Sequence, residues 1–345
     1  MTARPPSRRP GLKAVAQLAG VSVQTVSNVV NAKVHEMSPE TRRRVEEAMR
    51  ELNYTPNSQA RGLRVQKTST LALLLLDPDP LYLADPMTAL IISGVGAVAR
   101  EHGYMVLVHA AHPNQFDRGL FLPILQNRAD GSLLLLSGEK SMRRAYVEEA
   151  AKLTDHFVIL EDIDAPSVCT VSADNHTGSF ELTTRLLDAG HRRIAFLGTA
   201  VSWPMIEQRF AGYRDALDAA GIAFDPALAR FEGEWNAATG ASMATQLYGM
   251  KEPPTAILAG NDLLAIGAIK ALKSSGLRVP EDVAVAGFND FAFAEHTDPP
   301  LTTVRVPGFE LGRRAALRLI ARIEGTETEP VSERLPVELI ARASA

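Results

Sequence analysis

Apolar residues near the N-terminus recur with a helical spacing that predicts two short helices joined by a tight turn within residues 11–31. In the first helix the apolar contacts are expected from Ala14, Val15 and Leu18. Gly20 then provides the turn, because glycine accepts the left-handed backbone that ends many helices. The pattern therefore predicts a helix-turn-helix unit at the start of a much larger chain.

The second of these helices is predicted over Val23–Val30, with Ser22 as its N-cap. Its buried stripe follows the i, i+3, i+4 spacing and comprises Val26, Val29 and Val30. The opposite face carries side chains that are short or polar enough to reach base edges in a DNA major groove, namely Val23, Gln24, Ser27 and Asn28. This face predicts that the helix reads DNA.

A third helix is predicted to begin with Ser38 as its N-cap and Pro39 at its first position. Its core stripe comprises Val45, Ala48, Met49 and Leu52. The arginines at 42–44 form its charged face, and two interpretations stay open for them: a solvated surface or contacts with DNA phosphates. Residues 56–64 follow as either a plain linker or a short hinge helix, which Gly62 would make marginal in isolation.

From residue 70 onwards, short apolar runs alternate with amphipathic helices. Strands are predicted at residues 71–77, 104–110, 131–137, 157–161, 169–174, 193–198, 228–232, 256–260, 283–288, 303–306 and 338–342. Helices are predicted at residues 87–102, 117–128, 178–189, 206–220, 237–248, 263–275 and 310–323. This alternation predicts two similar α/β lobes with doubly wound parallel sheets, and a ligand cleft outside the carboxyl ends of their strands.

The predicted organisation begins with a disordered basic tail over residues 1–10 and an all-α helix-turn-helix domain over residues 11–55. A hinge helix or linker over residues 56–68 joins it to a two-lobed domain over residues 69–345. Lobe 1 is expected over about 69–171 and 302–332, and lobe 2 over about 172–301 and 333–345.

The distribution of charge supports a DNA-binding head. The net charge of the whole chain is −4, which alone argues weakly against nucleic acid. Residues 1–67, however, contain 12 Lys and Arg against 5 Asp and Glu, a net charge of +7, while the remainder has 24 against 35, a net charge of −11. A basic head on an acidic body fits a DNA-binding module attached to a domain that does not touch DNA.

Composition narrows the class of protein further. The hydrophobic content of 46% is that of an ordinary globular protein, and the longest apolar run, residues 71–76, is far shorter than the ~18 residues of a membrane span. Residues 1–10 are basic without a following apolar stretch, so they do not predict a secretory signal. The single cysteine, Cys169, rules out an intramolecular disulfide. We therefore expect a cytoplasmic, nucleoid-associated protein.

Several segments together resemble the lactose repressor/galactose repressor family of bacterial transcription factors. LAGVSVQTVSNVVN, SPETRRRVEEAMRELNYTPN and ARGLR are similar to the family's DNA-binding head. DNHTG with DAGHRRIAFLG, RFAGYRDAL, GNDLLAIGAIKALKSSGLRVPEDVAVAGFND and PPLTTVRVP are similar to its effector domain, in the family order. The resemblance implies a periplasmic-binding-protein-like effector domain, a homodimer, a pseudo-palindromic operator in double-stranded DNA, and a small effector between the lobes, usually a carbohydrate and sometimes a purine.

Carried onto this chain, the resemblance implies a set of DNA-binding residues. They are Ser22, Val23, Gln24, Thr25, Ser27, Asn28, Asn31, Tyr54, Asn57, Ala60, Arg61 and Leu63. Leu63 would be the apolar wedge that enters the minor groove at the operator centre. Asn28 departs from the family pattern, which usually has arginine; asparagine suits adenine where arginine suits guanine, so the family's usual operator sequence is not assumed.

The resemblance also implies a set of effector-binding residues in the cleft. They are Leu83, Pro86, Glu161, Arg209, Trp235, Asn261 and Asn289. A carboxylate, a guanidinium and two amides suit sugar hydroxyls, and the indole offers a face to a pyranose ring. Structural roles remain possible for three of these residues: Asn261 could cap a helix, Asn289 could form a turn and Trp235 could belong to the hydrophobic core. A purely structural role for Arg209 would require a buried acidic partner.

Other function classes fit less well. The chain contains no nucleophile elbow, no Walker loop and no HExxH motif, so we predict that it is not an enzyme and needs no cofactor or metal. A secreted sugar-binding protein would share the two lobes but not the basic head. Within regulation, the alternative is a purine-responsive or phosphoprotein-assisted repressor. No leucine heptad follows residue 342, so a dimer is the expected assembly.

Overall fold

The computed structural model describes residues 10–30, 37–54, 67–112, 115–163 and 167–345. The chain divides into two compact units, Met1–Thr68 and Ser69–Ala345. Nearly all of the predicted basic tail and most of the predicted hinge lie outside the described residues. Within the described ranges, no helix is long and apolar enough to cross a membrane.

The N-terminal unit consists of three short helices around one core. They are α1 (Leu12–Ala19), α2 (Val23–Val30) and α3 (Pro39–Glu51). The core is formed by Val15, Ala16, Ala19, Val26, Val45 and Ala48, all buried. α1 ends at Gly20, whose φ of 63° is left-handed, as predicted.

Leu18 is not part of this core, contrary to the sequence prediction. Its side chain is 46% exposed. Val15, Ala16 and Ala19 lie on one side of α1, and at 100° per residue Leu18 falls roughly 100° away from the centre of that side. In so short a helix, the spacing of apolar residues does not by itself determine which of them are buried. The side of α1 that packs against α2 and α3 determines it.

Side-chain caps fix where the second and third helices begin, as predicted. The Ser22 hydroxyl accepts a hydrogen bond from the Thr25 backbone N–H at 3.0 Å. The Ser38 hydroxyl accepts one from the Thr41 backbone N–H at 3.2 Å, and Pro39 follows it. Each bond satisfies an N–H group that has no partner inside its helix.

The larger unit contains twelve described strands. They are β1 (Thr70–Leu76), β2 (Met105–Ala111), β3 (Gly131–Leu136), β4 (Phe157–Ile159), β5 (Thr170–Ala173), β6 (Ile194–Gly198), β7 (Ala229–Phe231), β8 (Ala256–Ala259), β9 (Ala284–Ala286), β10 (Thr303–Arg305), β11 (Ser332–Leu335) and β12 (Glu338–Ile340). One sheet has the order β11-β5-β4-β3-β1-β2, a second has the order β7-β6-β8-β9, and all their pairs are parallel. β10 and β12 form an antiparallel pair. The predicted fold class is confirmed.

Helices cover the faces of the two parallel sheets. They are α4 (Pro86–Glu101), α5 (Leu122–Leu125), α6 (Lys140–Leu153), α7 (Asn175–Asp188), α8 (Pro204–Ala219), α9 (Ala237–Tyr248), α10 (Asp262–Ser274) and α11 (Gly308–Ile323). α4 and α11 approach unusually closely, because a Cβ at Gly94 would lie 2.0 Å from the Phe309 carbonyl oxygen and one at Gly312 would lie 2.1 Å from the Ile91 oxygen. Only glycine permits this reciprocal backbone contact.

Three features of the larger unit differ from the sequence prediction. The helix predicted at 117–128 is a 3-10 turn over Arg118–Phe121 followed by the single turn of α5, and the Asp117 carboxylate caps that turn by accepting from the Gly119 N–H at 2.7 Å. α6 and β11 were not predicted, because α6 is rich in charge and β11 has the mostly polar sequence SERL. The lobe boundaries predicted at 171–172 and 332–333 fall inside β5 and β11, which both pair in the six-stranded sheet.

Candidate functional site

A cavity of about 200 Å³ lies at the carboxyl ends of the strands of both parallel sheets. Five of the seven predicted effector residues line it: Glu161, Arg209, Trp235, Asn261 and Asn289. Glu161 follows β4, Asn261 follows β8 and Asn289 follows β9. Because the strands of each sheet run parallel, these polar residues meet at one end, where ligands bind in open α/β sheets.

The other two predicted residues, Leu83 and Pro86, do not line this cavity. The Leu83 side chain is 54% exposed. Their chain neighbours Tyr82, Asp85 and Met87 line the cavity instead. Leu83 lies in a 3-10 turn and Pro86 is the first residue of α4, so a shift of one residue along this segment changes which side chain faces the cleft.

Arg209, on α8, is held entirely by neutral acceptors. It is 3% exposed, and its Nε, Nη1 and Nη2 donate to Asn175 Oδ1 at 2.9 Å, the Gly260 carbonyl at 2.6 Å and Asn289 Oδ1 at 3.0 Å. Its guanidinium carbon lies 3.9 Å from the centre of the Phe288 ring. Within the described ranges it forms no salt bridge, so the buried acid that a structural arginine would need is not in contact with it.

Burial lowers the pKa of this arginine but leaves it charged at neutral pH, and nearby acids oppose the effect. Desolvation lowers the pKa of Arg209 to about 10, while Glu161, Asp262 and Asp85 raise that pKa through their negative charges. A guanidinium has five N–H donors, and the three bonds described above use three of them. The remaining two have no acceptor among the described residues, and Arg209 lines the cavity.

Glu161 has no hydrogen-bond partner among the residues that the structure describes. Its carboxylate lines the cavity, and burial raises its pKa to about 7. The positive charges of Arg209 and Arg143 lower that pKa, and Asp162 raises it. A carboxylate with free acceptor capacity in such a place is a ready partner for hydroxyl groups.

The alternatives left open for the remaining cavity residues have structural support. Asn261 caps α10, because its Oδ1 accepts from the Leu264 N–H at 2.9 Å. Asn289 occupies a left-handed turn with a φ of 114° and also orients Arg209. The Trp235 ring packs against both hydrophobic cores, but its buried Nε1 has no acceptor within the described part of the chain. Each residue is therefore structural and also borders the cavity.

Sequence reasoning missed several residues that line the cavity. They are Asp77, Asp79, Asp85, Ser172, Asn175, Trp203 and Met205, together with apolar neighbours. Asp77 directly follows β1, so the rule that placed Asn261 and Asn289 at strand ends would also have found it. The pKa of Asp77 is raised to about 6, chiefly by burial and also by the charges of Asp79, Asp85 and Glu234, while its hydrogen bond from the Asp79 N–H opposes the rise.

A second buried arginine lies beside the cavity and has a carboxylate partner. Arg143 on α6 is 5% exposed, and its Nη2 donates to both carboxylate oxygens of Glu207 on α8, at 2.8 and 2.9 Å. Arg143 also donates to the Gly138 carbonyl, and Ser202 donates to Glu207. This cluster joins the segments that follow β3 and β6, which belong to different sheets.

In the N-terminal unit, the predicted DNA-reading face of α2 is largely open to solvent. Val23 is 41% exposed, Gln24 is exposed, and Gln24 Nε2 donates to Asn28 Oδ1 at 3.0 Å. Tyr54 packs against the hydrophobic core of the N-terminal unit. The remaining predicted contacts, Asn31, Asn57, Ala60, Arg61 and Leu63, lie outside the described residues.

A helix-turn-helix unit followed by a two-sheet unit with a polar cleft defines a DNA-binding regulator that is controlled by a small molecule. Residues 11–57 match the family described as bacterial regulatory proteins, lacI family, and residues 183–345 match the periplasmic binding protein-like domain. The chain belongs to the lacI family.

Characterised relatives match the chain along nearly its whole length. The HTH-type transcriptional regulator CelR of Thermobifida fusca is 35% identical over 337 residues, which cover 98% of both chains. The HTH-type transcriptional repressor CytR of Escherichia coli (strain K12) is 35% identical over 335 residues, covering 96% of this chain and 95% of the relative.

Solved structures agree with this assignment. A complex of the transcriptional regulator CelR with cellobiose has a TM-score of 0.71 at 34% identity and covers 98% of this chain and 100% of that one. The Lac repressor dimer bound to operator and the anti-inducer ONPF has a TM-score of 0.86 at 28% identity, covering 98% of this chain and 99% of that one.

Proposed function

We propose that the protein is a transcriptional repressor whose affinity for its operator is controlled by a small carbohydrate bound in the cavity between the two sheets. The observation that carries the proposal is that Glu161 and Arg209 both line one cavity, each with hydrogen-bonding capacity that the described residues do not use. The complex of the similar CelR with cellobiose supports the same class of effector.

The cavity offers each kind of group that a sugar requires. Glu161 accepts hydroxyl donors, the two N–H groups of Arg209 without a described acceptor donate to hydroxyl or ring oxygens, and the Trp235 side chain forms part of the wall. Apolar residues form another part of the wall, as in most ligand sites, among them Leu135, Leu160, Val171, Val306 and Leu311. We assign these groups to binding and not to catalysis.

The N-terminal unit supplies operator recognition in this proposal. α2 presents Val23, Gln24 and Asn28 to base edges, and Leu63 with Arg61 belongs to a hinge that contacts the minor groove. Two copies of the chain bind the two halves of a pseudo-palindromic operator, as the Lac repressor dimer structure suggests by analogy. The protein acts in the cytoplasm, on the DNA of the nucleoid.

The test uses the full chain and an operator selected from a pool of random duplexes. Fluorescence anisotropy would follow release of the labelled operator as neutral mono- and disaccharides are added one at a time. We expect one sugar to release the operator from the wild type, and Arg209→Ala to bind the operator but to ignore that sugar. If guanine or hypoxanthine instead tightens operator binding, the protein is a purine-responsive repressor and the proposal is wrong.

A further inference from the structure

Acidic side chains outnumber basic ones around the cavity. Four carboxylates line it, those of Asp77, Asp79, Asp85 and Glu161, whereas Arg209 is the one cation among the described lining residues. This imbalance is a property of the cavity itself and is separate from the ability of its residues to bind hydroxyl groups.

Backbone hydrogen bonds hold the three aspartates in place. Asp77 Oδ1 accepts from the Asp79 N–H at 2.9 Å, and Asp79 Oδ1 accepts from the Leu81 N–H at 2.7 Å. Asp85 Oδ2 accepts from the Thr88 N–H at 2.8 Å as the cap of α4. These bonds hold each carboxylate in the position from which it lines the cavity.

The single cation does not offset these charges. The guanidinium of Arg209 is already oriented by the neutral acceptors Asn175, Gly260 and Asn289, and Glu161 is the acid whose charge acts on it most. The repulsion among the aspartates is visible in Asp77, whose pKa is raised by the charges of Asp79 and Asp85. An anion in the cavity would thus meet a surplus of negative charge in a partly desolvated space, where charges interact strongly.

We propose that the cavity selects against negative charge, so that the effector is a saccharide without a phosphate or carboxylate group. This inference rests on the proposed carbohydrate effector and adds its charge class. Asp79 and Asp77 are the specificity-determining residues: they discriminate by repulsion, while Glu161 and Arg209 bind the hydroxyl groups. Discrimination of this kind is a difference between two affinities, and repulsion of the wrong ligand is an effective way to produce it.

The experiment compares ligands that differ in charge but hardly in shape. Glucose, galactose, mannose and cellobiose, each with its uronic acid and its uronamide, would be titrated into the full chain at pH 8 by isothermal calorimetry. A uronic acid and its uronamide differ only by a carboxylate in place of a neutral amide, so their affinity ratio isolates charge from size. For the sugar that binds, we expect the uronic acid to bind at least ~100-fold more weakly than the uronamide.

Matched variants locate the cause. Asp79→Asn keeps an oxygen that can accept from the Leu81 N–H but removes the charge, so the ratio of uronamide to uronic acid affinity should fall about tenfold. Asp218→Asn removes an exposed carboxylate that does not line the cavity, and the ratio should stay at its wild-type value.

The outcomes separate the inference from the function on which it rests. Equal binding of a uronic acid and its uronamide, or an unchanged ratio in Asp79→Asn, would overturn the inference and leave the carbohydrate effector intact. If no member of any trio binds and no neutral saccharide of the operator-release test releases the operator, both the charge class and the proposed carbohydrate effector are wrong.

Discussion

Two buried arginines lie beside the same cleft and meet opposite kinds of partner. Arg143 donates to both oxygens of the Glu207 carboxylate, whereas Arg209 donates only to an amide oxygen on each side and a backbone carbonyl. Both are at most 5% exposed, so burial alone does not distinguish them. We infer that Arg143, whose charge is neutralised by Glu207, has a structural role. Arg209, which has no carboxylate in contact with it among the described residues, is the arginine that can bind a ligand.

Replacing Arg209 should give the largest change. Arg209→Ala removes two donors to the effector, and since charge-assisted hydrogen bonds contribute roughly 1.5 kcal/mol or more each, we expect about a 100-fold loss of effector affinity. Isothermal calorimetry measures the loss, and operator affinity without effector should match that of the wild type. Effector binding at wild-type strength in this variant would place the site elsewhere.

Breaking the ion pair of Arg143 should affect folding more than effector recognition. Glu207→Gln leaves a buried cation with weaker acceptors, so we expect the free energy of unfolding to fall by about 1–3 kcal/mol. Glu207 is 46% exposed, which keeps the loss below that of a fully buried pair. Urea unfolding of the full chain, followed by circular dichroism, tests this. A larger effect on sugar affinity than on stability would contradict the contrast between the two arginines.

Glu161 should make effector binding depend on pH. Burial raises its pKa to about 7, so below that pH the empty protein holds a proton that must leave before the carboxylate accepts two hydroxyl donors. Wild-type affinity should therefore fall up to tenfold per pH unit below 7 and level off above 8. The charges that act on Glu161 are those of Arg209, Asp162 and Arg143, and Asp77 titrates in the same cavity near pH 6.

Glu161→Gln is the matched variant for this titration. Its affinity at pH 8 should be about tenfold below that of the wild type, because a neutral acceptor replaces a charged one. Its affinity between pH 6.5 and 8 should be nearly constant, with the residual slope at lower pH left to Asp77. An unchanged pH profile in the variant would show that another group controls binding.

The same titration affects the empty protein in the opposite direction. The folded state binds the Glu161 proton with a pKa of about 7, against the usual value of 4.5. In that interval the folded state holds more protons than the unfolded chain, so the stability contributed by this group decreases as the pH rises from 4.5 to 7.

An exposed arginine completes the comparison and should give the smallest effect. Arg42 on α3 pairs with Glu46 at 2.7 Å, with both side chains about half exposed. Arg42→Ala should change the free energy of unfolding by less than about 0.5 kcal/mol, measured by thermal unfolding of the full chain. A loss as large as that of Glu207→Gln would mean that burial does not separate these ion pairs.

Helices that have both a side-chain cap and an apolar stripe could be predicted with their correct bounds, whereas a stripe without a cap was overlooked. α2 and α9 begin and end at the predicted residues, since each has a side-chain cap at its start and a regular apolar stripe. α6 was missed although Met142, Tyr146, Val147, Ala150 and Leu153 form an apolar stripe that packs in the core. Its charged residues interrupt that stripe along the sequence, and Glu139 at its start makes no side-chain capping bond, so no signal marked where the helix begins.

Individual residues of the candidate site could be predicted from the sequence, but the contacts between them could not. The family resemblance implied Glu161, Asn261 and Asn289, and their positions after strands β4, β8 and β9 agree with that assignment. The environment of Arg209 was not predictable, because its partners Asn175 and Asn289 are 34 and 80 residues away along the chain. Only the folded chain shows that these partners are neutral, and that neutrality determines what Arg209 can do.

The chain contains two tryptophans, Trp203 and Trp235, and both line the cavity. Intrinsic fluorescence excited at the red edge of protein absorption therefore reports on this cavity, with no tryptophan elsewhere to dilute the signal. A ligand that packs against either side chain or displaces water from it should change the emission directly. Ligand binding to the wild-type protein can therefore be followed by tryptophan fluorescence without an added label.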